Sequence, residues 1–186
     1  MRVFISGGCK NGKSTYAQRI AKHHCADHLY YIATMTATDS EDLERIAKHR
    51  QERDGLGFTT IEQPLHIENI LINCYHTGSF LLDSLTALMS NEMFSVHDSF
   101  DNNAYARVSA GLIKVLANIQ QIVIVSDYIY SDSMLYNPFI ETYRESLAAL
   151  DRLTAKHCDV VLEAAYTQII VHKGNHIFRD TFHEIS

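Results

Sequence analysis

Residues 7–15 read GGCKNGKST, which puts Gly7, Gly12, Lys13 and Ser14 at the spacing G-x-x-x-x-G-K-S. That pattern suits one task, the cradling of phosphate. The glycines let the backbone curl so that successive N–H groups, from Gly7 through Gly8, Cys9, Lys10, Asn11 and Gly12, turn inward on phosphate oxygens. Lys13 meets the β- and γ-phosphates, and the Ser14 hydroxyl is a ligand for magnesium. A helix starting near Lys13 adds its positive end to the same anion. Cys9 enters this loop through its backbone N–H rather than its thiol.

Two further places carry chemistry. In SFLLDSLT, Asp83 closes an apolar run, where open α/β sheets hold their ligands. It is a magnesium ligand, directly or through water, or the cap of the helix that follows; the two roles are compatible. The stretch RIAKHRQER sets His49 among Arg45, Lys48, Arg50 and Arg53 in a chain of formal net charge -6. A neutral imidazole is a nucleophile, and cations beside it disfavour protonation while drawing in a polyphosphate. The bland alternative is a solvated helix face laced with pairs such as Glu41–Arg45 and Glu44–Lys48.

These residues need a scaffold, and the apolar pattern supplies one. RVFIS, YYIAT, FLLDS, QIVIVS and DVVLEAA have the form of strands buried on both faces. Between them lie KSTYAQRIAKHH, SEDLERIAKHRQER, LTALMSNEMF, AYARVSAGLIKVLANI and PFIETYRESLAALDRLTAKH, whose apolar residues recur at helical spacing. In the second of these, Asp39 or Ser40 caps the start, and Leu43, Ile46 and Ala47 form the inward stripe. Strands alternating with helices predict an α/β fold: a doubly wound, mostly parallel sheet of the P-loop type, in one domain spanning residues 1–186. QIIVHKG and HIFRDTF suggest a hairpin at the sheet edge, and SVHDSFDNN a long loop.

Composition limits the partners. With 16 basic and 22 acidic residues the chain lacks the positive field of a nucleic-acid binder. No apolar run is long enough to span a membrane. The first residues run straight into a strand, so no signal peptide is expected and the cytoplasm is the expected compartment. The 4 cysteines lack C-x-x-C spacing, and the histidines outside the basic stretch lack ligand spacing.

In order along the chain, GGCKNGKS, YIAT, DSEDLERIAKHRQER and LLDSLTALMSNEMF resemble the bifunctional adenosylcobinamide kinase / adenosylcobinamide-phosphate guanylyltransferase family of cobalamin synthesis. The resemblance runs to about Gly174 and is densest before Phe94. In that family a histidine within R-I-x-x-H-[RK] is guanylylated by GTP, and His49 occupies its place. The resemblance implies nucleotide contacts from the phosphate loop, from Thr34, Met35 and Thr36, from Arg50, Gln51, Glu52 and Arg53, and from Glu62 and Asp83. It also implies GTP as donor (ATP being possible for phosphorylation), Mg2+, adenosylcobinamide and its phosphate as acceptors, and a homo-oligomer, possibly a trimer. The chain departs from the family's Asn-Glu after the fourth strand, having Asp127 and Tyr128. The later Asn-Gln pair is Asp151 and Arg152, and a glycine is Thr167. The departures bear on the acceptor side. Two other readings are a small-molecule kinase in which His49 is only a surface residue, and a nucleotide-binding regulator without catalysis.

Overall fold

In the computed structural model the described residues are 1–23, 25, 27–37, 39–94, 100–166 and 168–182; for Glu41, Arg45, Lys48, His49 and Glu52 only the place on a helix is described. His24, His97, Thr167, His183 and most of the expected SVHDSFDNN loop therefore lie outside the described residues.

Among the described residues, seven strands form one sheet: β1 (Arg2–Gly7), β2 (Leu29–Ala33), β3 (Thr59–Glu62), β4 (Ser79–Asp83), β5 (Gln121–Asp127), β6 (Val160–Ala165) and β7 (Gln168–Lys173). Their order is β3-β2-β4-β5-β1-β6-β7, parallel throughout except for the β6–β7 pair. The helices are α1 (Lys13–His23), α2 (Ser40–Arg53), α3 (Leu85–Phe94), α4 (Ala104–Asn118), α5 (Pro138–His157) and α6 (Asn175–Phe182), with a 3-10 turn at Ile67–Ile72.

Side chains alternate across each strand, so the apolar runs feed two cores at once. Phe4, Ile32, Phe80, Leu82, Ile122 and Ile124 pack with Leu88, Leu112 and Leu147 from α3, α4 and α5. Val3, Ile5, Tyr31, Leu81, Val123 and Val125 pack on the other face with Ile20 of α1 and Phe178 and Phe182 of α6. At the front of α5, the Asn137 side chain accepts from the Ile140 N–H at 3.0 Å and Pro138 fills the first turn.

The structure corrects the sequence reading in two places. The edge hairpin is β6 with β7, whereas HIFRDTF is helical: Phe178 and Phe182, four residues apart, meet with tilted rings 5.4 Å between centroids and close one core. Gly174, at φ +77°, starts that helix where a Cβ would meet the Asp159 carbonyl and lie 3.0 Å from Val160. The stripe expected on α2 is not buried either: Leu43 is 60% exposed, whereas Arg53 is buried. Asp39 does cap α2, accepting from the Asp42 N–H at 2.9 Å. Among the described residues, no helix is long and apolar enough to cross a membrane.

Candidate nucleotide site

The phosphate loop joins β1 to α1 and is held from outside itself. Gly12 sits at φ +84°, and a Cβ on Gly7 would lie 2.6 Å from the Ala164 carbonyl and collide with the Asn11 amide. The Asn11 side chain donates to the Ala164 carbonyl of β6 and accepts from the Lys13 N–H at 3.2 Å. Lys13 is 5% exposed. Its Nζ donates to the Gly8 carbonyl at 2.9 Å and forms an ion pair with Asp127, the last residue of β5.

Asp83 lies at the tip of β4, on the far side of β5 from the loop. Its Oδ2 accepts from the Tyr31 hydroxyl at 2.8 Å. The Arg53 guanidinium lies on the other aspect of Tyr31, 3.6 Å from the ring centroid, a cation–π contact that draws the end of α2 against β2. Around this trio opens a cavity of about 310 Å³, whose wall includes Met35, Thr36, Arg50, Arg53, Thr60, Glu62, Pro64 and Asp83. Arg50 pairs with Glu62 across it, both side chains being well exposed, so the pair adds little to stability. Among the described residues, Nε and Nη1 of Arg53 are buried without a hydrogen-bond partner. A buried guanidinium in that condition costs free energy unless an anion completes it.

Of the residues singled out in the sequence, Met35, Thr36, Arg50, Arg53, Glu62 and Asp83 converge on one cavity. Thr34 does not offer its hydroxyl there; it donates to the Ser84 carbonyl and accepts from the Ser84 N–H, each at 2.8 Å, locking β2 to the end of β4. Gln51 is exposed, and its carbonyl accepts from Asp54 at the end of α2. His49 lies on α2 one helical turn before Arg53. Tyr31, Phe58 and Thr60 were not singled out, since in sequence they read only as strand and turn residues. Among the described residues, no group of three or more His, Cys, Asp or Glu forms a metal cluster. A hydroxyl from Ser14 and a carboxylate from Asp83 are hard oxygen donors of the kind magnesium takes alongside phosphate and water.

On the opposite side of Lys13, two of the departures noted in the sequence, Asp127 and Asp151, come close enough for their charges to interact. Asp151 is 4% exposed and accepts from the Tyr130 hydroxyl at 2.8 Å. Burial pushes its carboxyl up to about 6; the charge of Asp127 adds to this, while Tyr130, the neighbouring Ser126 hydroxyl and Arg152 offset only part. The fold thus favours the protonated form. That contribution is complete below the unfolded value near 4 and is lost as pH rises through about 6. Asp151→Asn, which keeps the acceptor for Tyr130, should raise stability at pH 7 by about 2–3 kcal/mol and leave it nearly unchanged at pH 3.5. Urea unfolding at both pH values measures this, and equal changes at the two would refute the role of burial.

A phosphate loop after the first strand of a parallel sheet, with a carboxylate at the tip of a strand two places away, defines a P-loop nucleotide-binding α/β protein. A solved ATPase domain shares the fold: 12% identity, TM-score 0.50, covering 92% of this chain and 76% of that one. Residues 3–167 match the model of the cobinamide kinase / cobinamide phosphate guanyltransferase family, and the chain belongs to that family. The chain is 39% identical over 92 residues, 49% of its own length and 52% of the relative's, to the bifunctional adenosylcobalamin biosynthesis protein CobP of Pseudomonas aeruginosa. It is 28% identical over 95 residues to CobU of Escherichia coli, across 50% of this chain and 51% of that one. The chain thus spans about half the length of the curated relatives it matches.

Asp83→Asn tests the metal assignment. Asn keeps the bond from Tyr31 but loses the charge, so half-maximal turnover should need roughly tenfold more magnesium or beyond. A magnesium titration that superimposes on that of the parent protein would leave Asp83 as the acceptor for Tyr31 only, the cap of α3 being the Ser84 hydroxyl, which accepts from the Ala87 N–H.

Proposed function

We propose that this protein phosphorylates adenosylcobinamide and then transfers GMP from GTP to adenosylcobinamide phosphate, by way of a guanylylated His49. The observation that carries this reading is the buried guanidinium of Arg53, whose Nε and Nη1 have no hydrogen-bond partner among the described residues, held on Tyr31 beside Asp83 and one helical turn after His49. It is a built anion site on the helix that bears the nucleophile. Family membership supports the same chemistry, and the relatives matched over about half their length are named as bifunctional proteins of adenosylcobalamin biosynthesis.

In this reading the phosphate loop and Lys13 hold the triphosphate for transfer to the acceptor hydroxyl. Mg2+ would be held by Ser14 and Asp83 and, when bound, would supply charge neutralisation at the phosphate oxygens. For the second step a neutral His49 nitrogen attacks the α-phosphorus, pyrophosphate leaves, and Arg50 and Arg53 balance its charge. The GMP then passes from His49 to the phosphate of the acceptor. The chemistry belongs in the cytoplasm, and we propose a homo-oligomer, which sedimentation at working concentration tests.

The decisive experiment uses GTP labelled at one phosphate at a time. Label from the α-phosphate should remain on the protein, stable to alkali and lost in acid, because protonating a phosphoramidate nitrogen makes it a good leaving group. Label from the γ-phosphate should instead appear on adenosylcobinamide. Transfer of the γ-phosphate alone would leave a simple kinase, and GTP binding with neither transfer would leave a regulator.

A further inference from the structure

The ion pair between Lys13 and Asp127 joins residues 114 positions apart, and nothing in the phosphate-loop pattern requires it. Asp127 ends β5, in register with Gly7 of β1, and β5 separates β1 from the strand that carries Asp83. Its backbone is fixed on both sides: the Asp127 N–H donates to Thr86 Oγ1 at 2.8 Å, and the Tyr128 N–H donates to the Gly7 carbonyl at 3.2 Å. The carboxylate uses Oδ1 for Lys13, and among the described residues no donor is bonded to Oδ2. The side chain is 22% exposed, so a second molecule can reach it. Among the described residues, Asp151 and Tyr143, both from α5, feel the charge of Asp127.

We infer that in this chain Asp127, which stands where the family has Asn, is a catalytic residue of the phosphorylation step, the base that receives the proton of the acceptor hydroxyl. This rests on the kinase reading above. Lys13 is the group that meets the γ-phosphate, so a carboxylate in contact with its ammonium lies at the edge of the reacting phosphoryl group. The free oxygen of Asp127 then accepts a hydrogen bond from the hydroxyl approaching that phosphate. As the acceptor oxygen bonds to the γ-phosphorus, its O–H bond breaks and the proton passes to Asp127. The bond from the γ-phosphorus to the bridging oxygen breaks in the same step, and the nucleoside diphosphate leaves against Lys13.

Asp127→Asn separates proton acceptance from positioning, since an amide oxygen accepts the same hydrogen bond but takes no proton at neutral pH. With adenosylcobinamide and γ-labelled nucleotide, kcat should fall about 100-fold, the low end for general bases because phosphoryl transfer has a loose transition state. The KM for adenosylcobinamide should change less than about threefold, since uniform binding is preserved. An unchanged kcat overturns the inference. So does a loss of nucleotide affinity large enough to account for the fall, which would make Asp127 a support for Lys13 only. A parent protein that transfers no γ-phosphate overturns the kinase reading and the inference together.

Discussion

Lys13→Ala should lose at least roughly 10³-fold in γ-phosphate transfer while the protein stays folded. In the proposed site the Lys13 ammonium is the charge that meets the outer phosphates, and in phosphoryl transfer nearly all the catalytic effect is positioning and charge. The variant removes that charge without opening the apolar core, because Lys13 touches the Gly8 carbonyl and the Asp127 carboxylate and belongs to neither hydrophobic cluster. Asp127 loses its partner, but water reaches its partly exposed carboxylate and limits the cost to the fold. Lys13→Met, which restores the volume of the stem, should be as inactive as Lys13→Ala. Lys13→Arg should not rescue, since a rigid guanidinium fork does not fit where a point charge meets both a carbonyl and a carboxylate. Turnover and circular dichroism on the same samples make the test. Activity within tenfold of the parent protein in the alanine variant would overturn the assignment.

His49→Asn should abolish retention of label from the α-phosphate and leave phosphorylation of adenosylcobinamide working. Asparagine keeps polarity and approximate size but has no ring nitrogen to attack phosphorus. An ordinary imidazole, with a pKa near 6.5, is mostly neutral at pH 7.5, so the nucleophile needs no separate base. The two proposed activities part because their residues part: His49 lies on α2, whereas Lys13 starts α1 after β1 and Asp127 ends β5. Arg53→Ala should weaken retention of the label by roughly 100-fold, as expected for removal of one fixed anion-stabilising group. If the adduct forms undiminished in His49→Asn, the nucleophile is elsewhere, and mapping the labelled peptide identifies it. Loss of both transfers together would mean that α2 serves one shared nucleotide site.

The phosphate loop was legible because its chemistry is local. Gly7, Gly12, Lys13 and Ser14 act through backbone curvature and a helix start, both set by residues within a few positions of one another. The long central strands were legible for a similar reason, since burial on both faces demands unbroken apolar runs such as FLL and IVIV. β3 was not: TTIE is four residues at the sheet edge, mostly exposed, and burial puts no signature on it. HIFRDTF reads equally as strand or helix over so few residues, and only packing of Phe178 and Phe182 against α1 and the sheet decides for helix.

Sequence alone was enough to establish the parallel α/β architecture, the loop spacing of Gly7, Gly12, Lys13 and Ser14 and the apolar approach to Asp83, and it narrowed the cap of α2 to Asp39 or Ser40, all within the reach of spacing and local hydrogen bonding. Tertiary structure alone decided which of these residues meet. It set Asp127 on Lys13, Tyr31 between Asp83 and Arg53, and Asp151 in a buried place beside them. It also turned the apolar residues of α2 away from the core and buried an arginine instead. The reason is that these contacts follow from strand order. Placing β5 between β1 and β4, and β2 beside β4, brings the ends of strands from distant parts of the chain to one edge, and a loop of any sequence can make such a connection.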